Sequence, residues 1–167
     1  MSCIPRALFA ACLSFMATPA LATFIQIPAV SFVANRTSAS LETFAKANGV
    51  LNDAEGKYYA AVPFTTDTGR VCRFILVYRD NDSDVGVTAR LLKKKIDLTA
   101  PPFDDPVEMA KVITGGPFFN ANVRKKIDTT IVEPILDLRN AFYFVELEFP
   151  DATLDVLGVQ IEVKPTC

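Results

Sequence analysis

Strict alternation of apolar and polar residues runs through this chain. In 71–79 the even positions Cys72, Phe74, Leu76 and Tyr78 form an apolar row, while Arg73 and Arg79 stand with Val71, Ile75 and Val77 on the odd one. Successive strand side chains point to opposite faces, so this reads as a β-strand with its even face turned inward. Val85, Val87, Ala89 and Leu91 repeat the pattern against Gly86, Thr88 and Arg90, as do Tyr143, Val145, Leu147 and Phe149 against Phe144, Glu146 and Glu148. A fourth strand sets Leu157, Val159, Ile161 and Val163 against Gly158, Gln160, Glu162 and Lys164.

The first two strands flank "RDNDSD" (79–84), and the last two flank "PDAT" (150–153), both rich in turn-forming residues, so each pair is expected to form a hairpin. Further strands are expected in 24–33, 58–64, 107–113 and 129–138. Ser40, Leu41, Phe44 and Gly49 make "SASLETFAKANG" (38–49) the helix candidate, with an ordered loop as the alternative. Loops fall at 100–106 and 114–120, where Pro and Gly cluster. Many short strands, polar turns and no long helical period predict an all-β fold. The expected form is an antiparallel β-sandwich with jelly-roll or Greek-key connections, with a closed β-barrel as the alternative.

The first 22 residues carry one charge, Arg6, then an apolar run ending in Ala20-Leu21-Ala22. That is the pattern of a signal peptide cleaved after Ala22, and it predicts a secreted or periplasmic protein. Two other readings fit less well. The run is short of the ~20 residues of a membrane anchor and holds Pro19. A lipidated Cys12 would be followed by polar sequence, but here the apolar run continues. Cleavage leaves a single domain, 23–167, with no transmembrane anchor. Its two cysteines, Cys72 and Cys167, are expected to pair in an oxidising compartment. Closing so long a loop constrains the unfolded chain by about 4–5 kcal/mol in the entropy picture.

"FILVYRDNDSDVGVTARLLKK", followed by "NAFYFVELEF" and "LGVQIEV", resembles secreted bacterial β-sandwich proteins of unassigned function, over about 70–163. The shared pattern is a hydrophobic strand ending in Tyr-x-Asp-Asn, a partner strand ending in a basic residue, an aromatic strand and a final "GVxI" strand. Glu162 stands where that group often has Tyr, and the cysteine pair is an addition. The resemblance implies fold and export, and no activity.

Asp80, Asp82 and Asp84, with Asn81, resemble the opening of a calcium loop, but an EF-hand starting at Asp80 needs Gly at 85 and Glu at 91, where Val85 and Leu91 stand. The expectation is a solvated hairpin tip that holds no calcium by itself. Completion of a site by a distant loop such as Asp104-Asp105 is the alternative. Histidine is absent, which removes Ser-His-Asp and Cys-His triads and His-bearing metal sites. Glu146 and Glu148 point the same way, two apart on one strand, and form the carboxylate pair a small extracellular hydrolase would need. Against that, carboxylates on the wet face of an antiparallel strand are common, and the chain has no Trp. "LLKKK" and "VRKKI" raise sulfated glycan or anionic lipid as ligands, and the first reads as an edge or loop guarded by charge. "TGGP" lacks the Lys and spacing of a phosphate loop. The sequons at Asn35 and Asn81 matter only in a eukaryotic secretory pathway.

With Lys+Arg 17 against Asp+Glu 19, no excess of positive charge invites nucleic acid. The sequence therefore points to a non-enzymatic binding or structural module that takes no cofactor, with glycan or cell-surface binding as its sharpest form. The alternatives are the carboxylate hydrolase and a calcium-dependent binding module. Self-association through Phe-rich loops such as Phe118-Phe119 is a further expectation. The strand phase predicts that Leu76→Asp is strongly destabilising and that Arg73→Glu is tolerated.

Overall fold

The computed structural model describes residues 21–34, 56–80, 86–96, 105–115, 120–150 and 155–167. Most of the expected signal segment, the helix candidate 38–49, Phe118-Phe119 and the turn 151–154 lie outside them. Nine strands are present among the described residues: β1 (Thr23–Pro28), β2 (Val33–Ala34), β3 (Gly56–Ala61), β4 (Arg70–Asp80), β5 (Thr88–Lys95), β6 (Val107–Ile113), β7 (Asn120–Asp128), β8 (Ala141–Phe149) and β9 (Asp155–Lys164). They form two open antiparallel sheets, one ordered β1-β9-β4-β7 and the other β2-β3-β8-β5-β6. The described strands form no closed barrel.

The pairings are nested. β5 pairs with β6, β4 with β7, β3 with β8 and β1 with β9, so the chain folds back on itself as one long double strand rolled across two layers. That is the jelly-roll arrangement of an antiparallel sandwich. It corrects both expected hairpins. β4 lies in the four-stranded sheet and β5 in the five-stranded one, and β8 and β9 are likewise split. The members of each expected pair lie in different layers, and alternation, which marks a strand's buried face, leaves its partner unspecified.

Between the sheets, Phe74, Leu76, Val87, Leu91, Val145, Leu147, Val159 and Ile161 are almost completely buried, as the alternation requires. Each such side chain contributes roughly 1.5–3 kcal/mol by leaving water. Bulges in the β4–β9 pairing move the phase in two places. An extra residue at Cys72, where Val71 pairs with Val163 and Arg73 with Glu162, turns Val71 into the core and Cys72 out of it. An extra residue at Leu157 lets Val156 take the buried place expected for Leu157. A bulge puts two residues opposite one and so resets the alternation.

Other strand expectations shift as well. The 24–33 strand is broken by a 3-10 turn at Ala29–Ser31. The 129–138 segment holds only a bridge from Arg70 to Ile135, and β7 occupies 120–128 instead, a strand whose cations had hidden its pattern. "LLKKK" belongs to β5, which runs between β8 and β6 and is no edge. Its Lys93 points inward at one end of the sandwich, 8% exposed, with Nζ 3.0 Å from Glu133 Oε2. The expected disulfide joins Cys72 to Cys167 and ties the chain beyond β9 to β4. No helix of the described residues is long and apolar enough to cross a membrane.

Candidate functional site

The outward positions of β8 are Phe142, Phe144, Glu146 and Glu148, in that order along the strand. Cross-strand neighbours divide this face into two halves. At one end Phe142 is exposed, and half-buried Phe144 lies between exposed Ala61 of β3 and Leu92 of β5. Tyr59 of β3 meets the Phe144 ring at a centroid distance of 6.0 Å. Exposed Val33 of β2, paired with Tyr59, extends the apolar half.

The other half is ionic. Glu146 is only 6% exposed although it faces out of the sheet, because its neighbours close over it. Tyr59 Oη donates to Glu146 Oε2 at 2.7 Å, Arg90 Nη1 donates to Glu146 Oε1 at 2.6 Å, and Lys57 Nζ lies 3.4 Å away. Arg90 Nη1 also donates to Glu148 Oε2 at 2.6 Å, and Arg90 Nε lies 3.2 Å from Glu108 Oε2 on β6. One guanidinium therefore ties β5 to carboxylates on both neighbouring strands, a geometry suited to its planar array of donors.

These contacts set the ionisation of the face. Burial raises the Glu146 carboxyl, but the hydrogen bonds from Tyr59 and Arg90 and the charge of Lys57 outweigh it and hold the group below the usual carboxylate range. Burial, then the hydrogen bond to Glu146 and its negative charge, pushes the Tyr59 hydroxyl up to about 12. Beside the ionic half, Gly56, Lys57, Gly86, Thr88, Glu148, Phe149 and Pro150 line a hollow of about 390 Å³. A side chain at Gly86 would place its Cβ 2.0 Å from Thr114 O, so only glycine fits at that wall.

A second charged group lies at the end of the sandwich where Lys93 turns inward. Glu133, at φ 45°, receives Lys93, and Lys95 Nζ approaches its other oxygen at 3.5 Å. Asp137 accepts hydrogen bonds from Asn140. The adjoining hollow, about 250 Å³, is lined by these lysines, Asp137 and Asn140. Its cations and carboxylates satisfy one another.

The sequence had singled out Glu146 and Glu148, and the structure brings them together through Arg90. It had missed Lys57, Tyr59, Arg90 and Glu108 as their partners, because those residues arrive on three other strands. Phe144 was legible as an aromatic on a polar face. Of the acidic stretch, Asp80 ends β4, while Asp82, Asp84 and Asp104 lie outside the described residues. No group of three or more Asp, Glu, Cys or His side chains that could hold a metal ion occurs among the described residues.

No known protein family matches the sequence, and no curated protein matches it. Among solved structures, the fold is similar to the crystal structure of Podospora anserina GH26-CBM35 beta-(1,4)-mannanase. That match has 7% sequence identity and a TM-score of 0.47, over 84% of this chain and 28% of that one. It is also similar to a family two carbohydrate esterase from Cellvibrio japonicus at 8% identity and a TM-score of 0.41, over 86% of this chain and 34% of that one. The chain thus spans about a third or less of either protein, and the activities in those names belong to those proteins.

Proposed function

We propose that this chain is an exported, non-enzymatic binding module that takes a neutral glycan on the outer face of its five-stranded sheet. The observation that carries the reading is the division of that face. Phe142, Phe144 and Tyr59 present aromatic surface directly beside the hydrogen-bonded set Glu146, Arg90, Glu148 and Lys57. A sugar ring has apolar C–H faces and a rim of hydroxyls that both donate and accept. Aromatic walls with a few fixed polar groups are the usual means of holding such a ligand. The charges on the face are already paired with one another, which suits an uncharged ligand.

The Cys72–Cys167 bridge supports an oxidising compartment. The hydrolase reading is less well supported. A general acid for glycoside cleavage needs a raised carboxyl pKa, and Glu146 is held in the opposite direction.

The test is a glycan array with the purified chain, with and without EDTA, followed by calorimetry on the best ligand. Binding that survives EDTA and falls about tenfold or more in Phe142→Ala/Phe144→Ala, with an unchanged melting temperature, is the expected result. Binding lost in EDTA and on Asp82→Ala would move the site to the acidic stretch. Turnover of the ligand, abolished in Glu148→Gln, would make the chain an enzyme.

A further inference from the structure

Several cations on the two outer faces are matched by carboxylates, whereas those of β7 are not, and Lys125 Nζ donates to the neutral Gln160 Oε1 at 3.3 Å. Arg73 and Lys164 flank Glu162, Arg90 holds three carboxylates, and Lys57 approaches Glu146. On β7, Arg124, Lys125 and Lys126 stand in consecutive positions and form no ion pair with any carboxylate among the described residues. The strand's own Asp128 accepts the backbone N–H groups of Lys111 at 2.9 Å and Thr130 at 2.8 Å, so its carboxylate is engaged at the strand end.

The position of β7 gives these cations a shape. Among the described strands, β7 pairs with β4 and forms the outer strand of its sheet. Arg124 and Lys126 lie opposite Tyr78 and Leu76, on the side of β4 that faces the core, while Lys125 lies opposite Val77 on the outward side. Lys126 is nonetheless exposed and Arg124 partly so. The three charges therefore fan to both sides of a ridge, with Arg124 and Lys126 separated by roughly 7 Å along the strand. Val123 and Ile127, about half exposed, flank Lys125 on the outward side.

We infer that the β7 edge binds a linear anionic polysaccharide, whose sulfate or carboxylate groups meet Arg124, Lys125 and Lys126 and whose rings lie against Val123 and Ile127. A ridge one strand wide matches a single narrow chain. A bilayer plane or a nucleic acid duplex would also press against the surrounding surface of a protein whose net charge is −2. This surface is separate from the aromatic face of the five-stranded sheet, and either can fail without the other.

The experiment measures binding of the exported chain to a heparin-type sulfated chain and to polygalacturonate across a salt series. Lys125→Gln/Lys126→Gln and Lys125→Glu/Lys126→Glu are compared with Arg139→Glu, an exposed cation elsewhere on the surface (85% side-chain exposure). Binding of at least one polyanion is expected. Its affinity should fall about tenfold in the Gln pair and further in the Glu pair at low salt, with the difference shrinking at high salt and Arg139→Glu unchanged. Loss with the sulfated chain alone identifies sulfate as the recognised group, and loss with polygalacturonate alone identifies carboxylate. The inference is overturned if neither polyanion binds or if all variants bind alike. It is also overturned if phosphatidylserine vesicles or duplex RNA compete through the same lysines as effectively as the polysaccharides.

Discussion

Each outer face carries one glutamate that is buried despite pointing away from the core, Glu146 on β8 and Glu162 on β9, at 6% and 4% exposure. Both sit on interior strands of their sheets. Glu146 is held by Tyr59 and Arg90 on the two neighbouring strands, through hydrogen bonds of 2.7 and 2.6 Å. Glu162 depends on Lys164, two residues away on its own strand, at 2.8 Å, and on Arg73 Nε at 3.1 Å. Arg73 is close enough to pair but not aligned to hydrogen-bond, and Glu162 Oε2 has no hydrogen-bond partner. Beside this weaker set the Cys72–Cys167 bridge ties the chain end to the neighbouring strand. One sheet is thus joined across strands by ionic hydrogen bonds and the other by a covalent link, so the same residue type carries different weight on the two faces.

Removing the bridge with Cys72→Ser/Cys167→Ser tests the covalent side, with the largest expected loss, up to about 4 kcal/mol of stability. Denaturant unfolding measures it. The Tyr59 hydroxyl should still titrate near 12 in that variant, because its surroundings belong to the other sheet. A return of that titration toward 10 would show that the two faces are coupled.

Arg90→Leu tests the ionic side. It leaves Glu146 buried beside Glu148 and Glu108 without their shared cation, and should cost about 3 kcal/mol. Arg73→Leu should cost under about 1 kcal/mol, since Arg73 is half exposed and Lys164 remains with Glu162. Equal melting temperatures for these two variants would remove the contrast.

Arg73→Glu sharpens it. Alternation alone marks this change as tolerated, but the pairing of Arg73 with Glu162 sets two carboxylates side by side, one of them buried. The expected loss is about 2 kcal/mol, and a melting temperature equal to the parent's would restore the simpler reading.

Tyr59→Phe should cost about 1.5 kcal/mol by leaving a buried carboxylate oxygen short of a donor. It also changes the pH profile. Because Glu146 is held below its ordinary range, its contribution is complete above the unfolded value of about 4.3 and is lost as pH falls through the lower folded one. The raised Tyr59 hydroxyl contributes below about pH 10 and is lost as pH rises toward 12. Tyr59→Phe should therefore flatten the alkaline limb and weaken the acid limb of a stability profile, and a parallel, uniformly lowered curve would refute the assignment.

Much of the fold was legible residue by residue. Tyr143, Val145, Leu147 and Phe149 are buried as their spacing indicates, and β6 occupies the expected 107–113. The site was legible only in part. Phe144, Glu146 and Glu148 could be placed on one outward face, but nothing near them in the chain marks Tyr59 or Arg90, which lie 87 and 56 residues away from Glu146.

The sequence by itself determined the alternating strands β4, β5, β8 and β9, most of their buried positions and the cysteine pair, because a strand's two faces alternate residue by residue and the pattern is written locally. Only the tertiary structure decided which strands pair, where the bulges at Cys72 and Leu157 reset the phase, and which cation meets which carboxylate. Those depend on nested pairings between distant segments: a strand with one apolar face can bury it equally well in a hairpin or across a sandwich, and the choice lies in the packing of the whole chain.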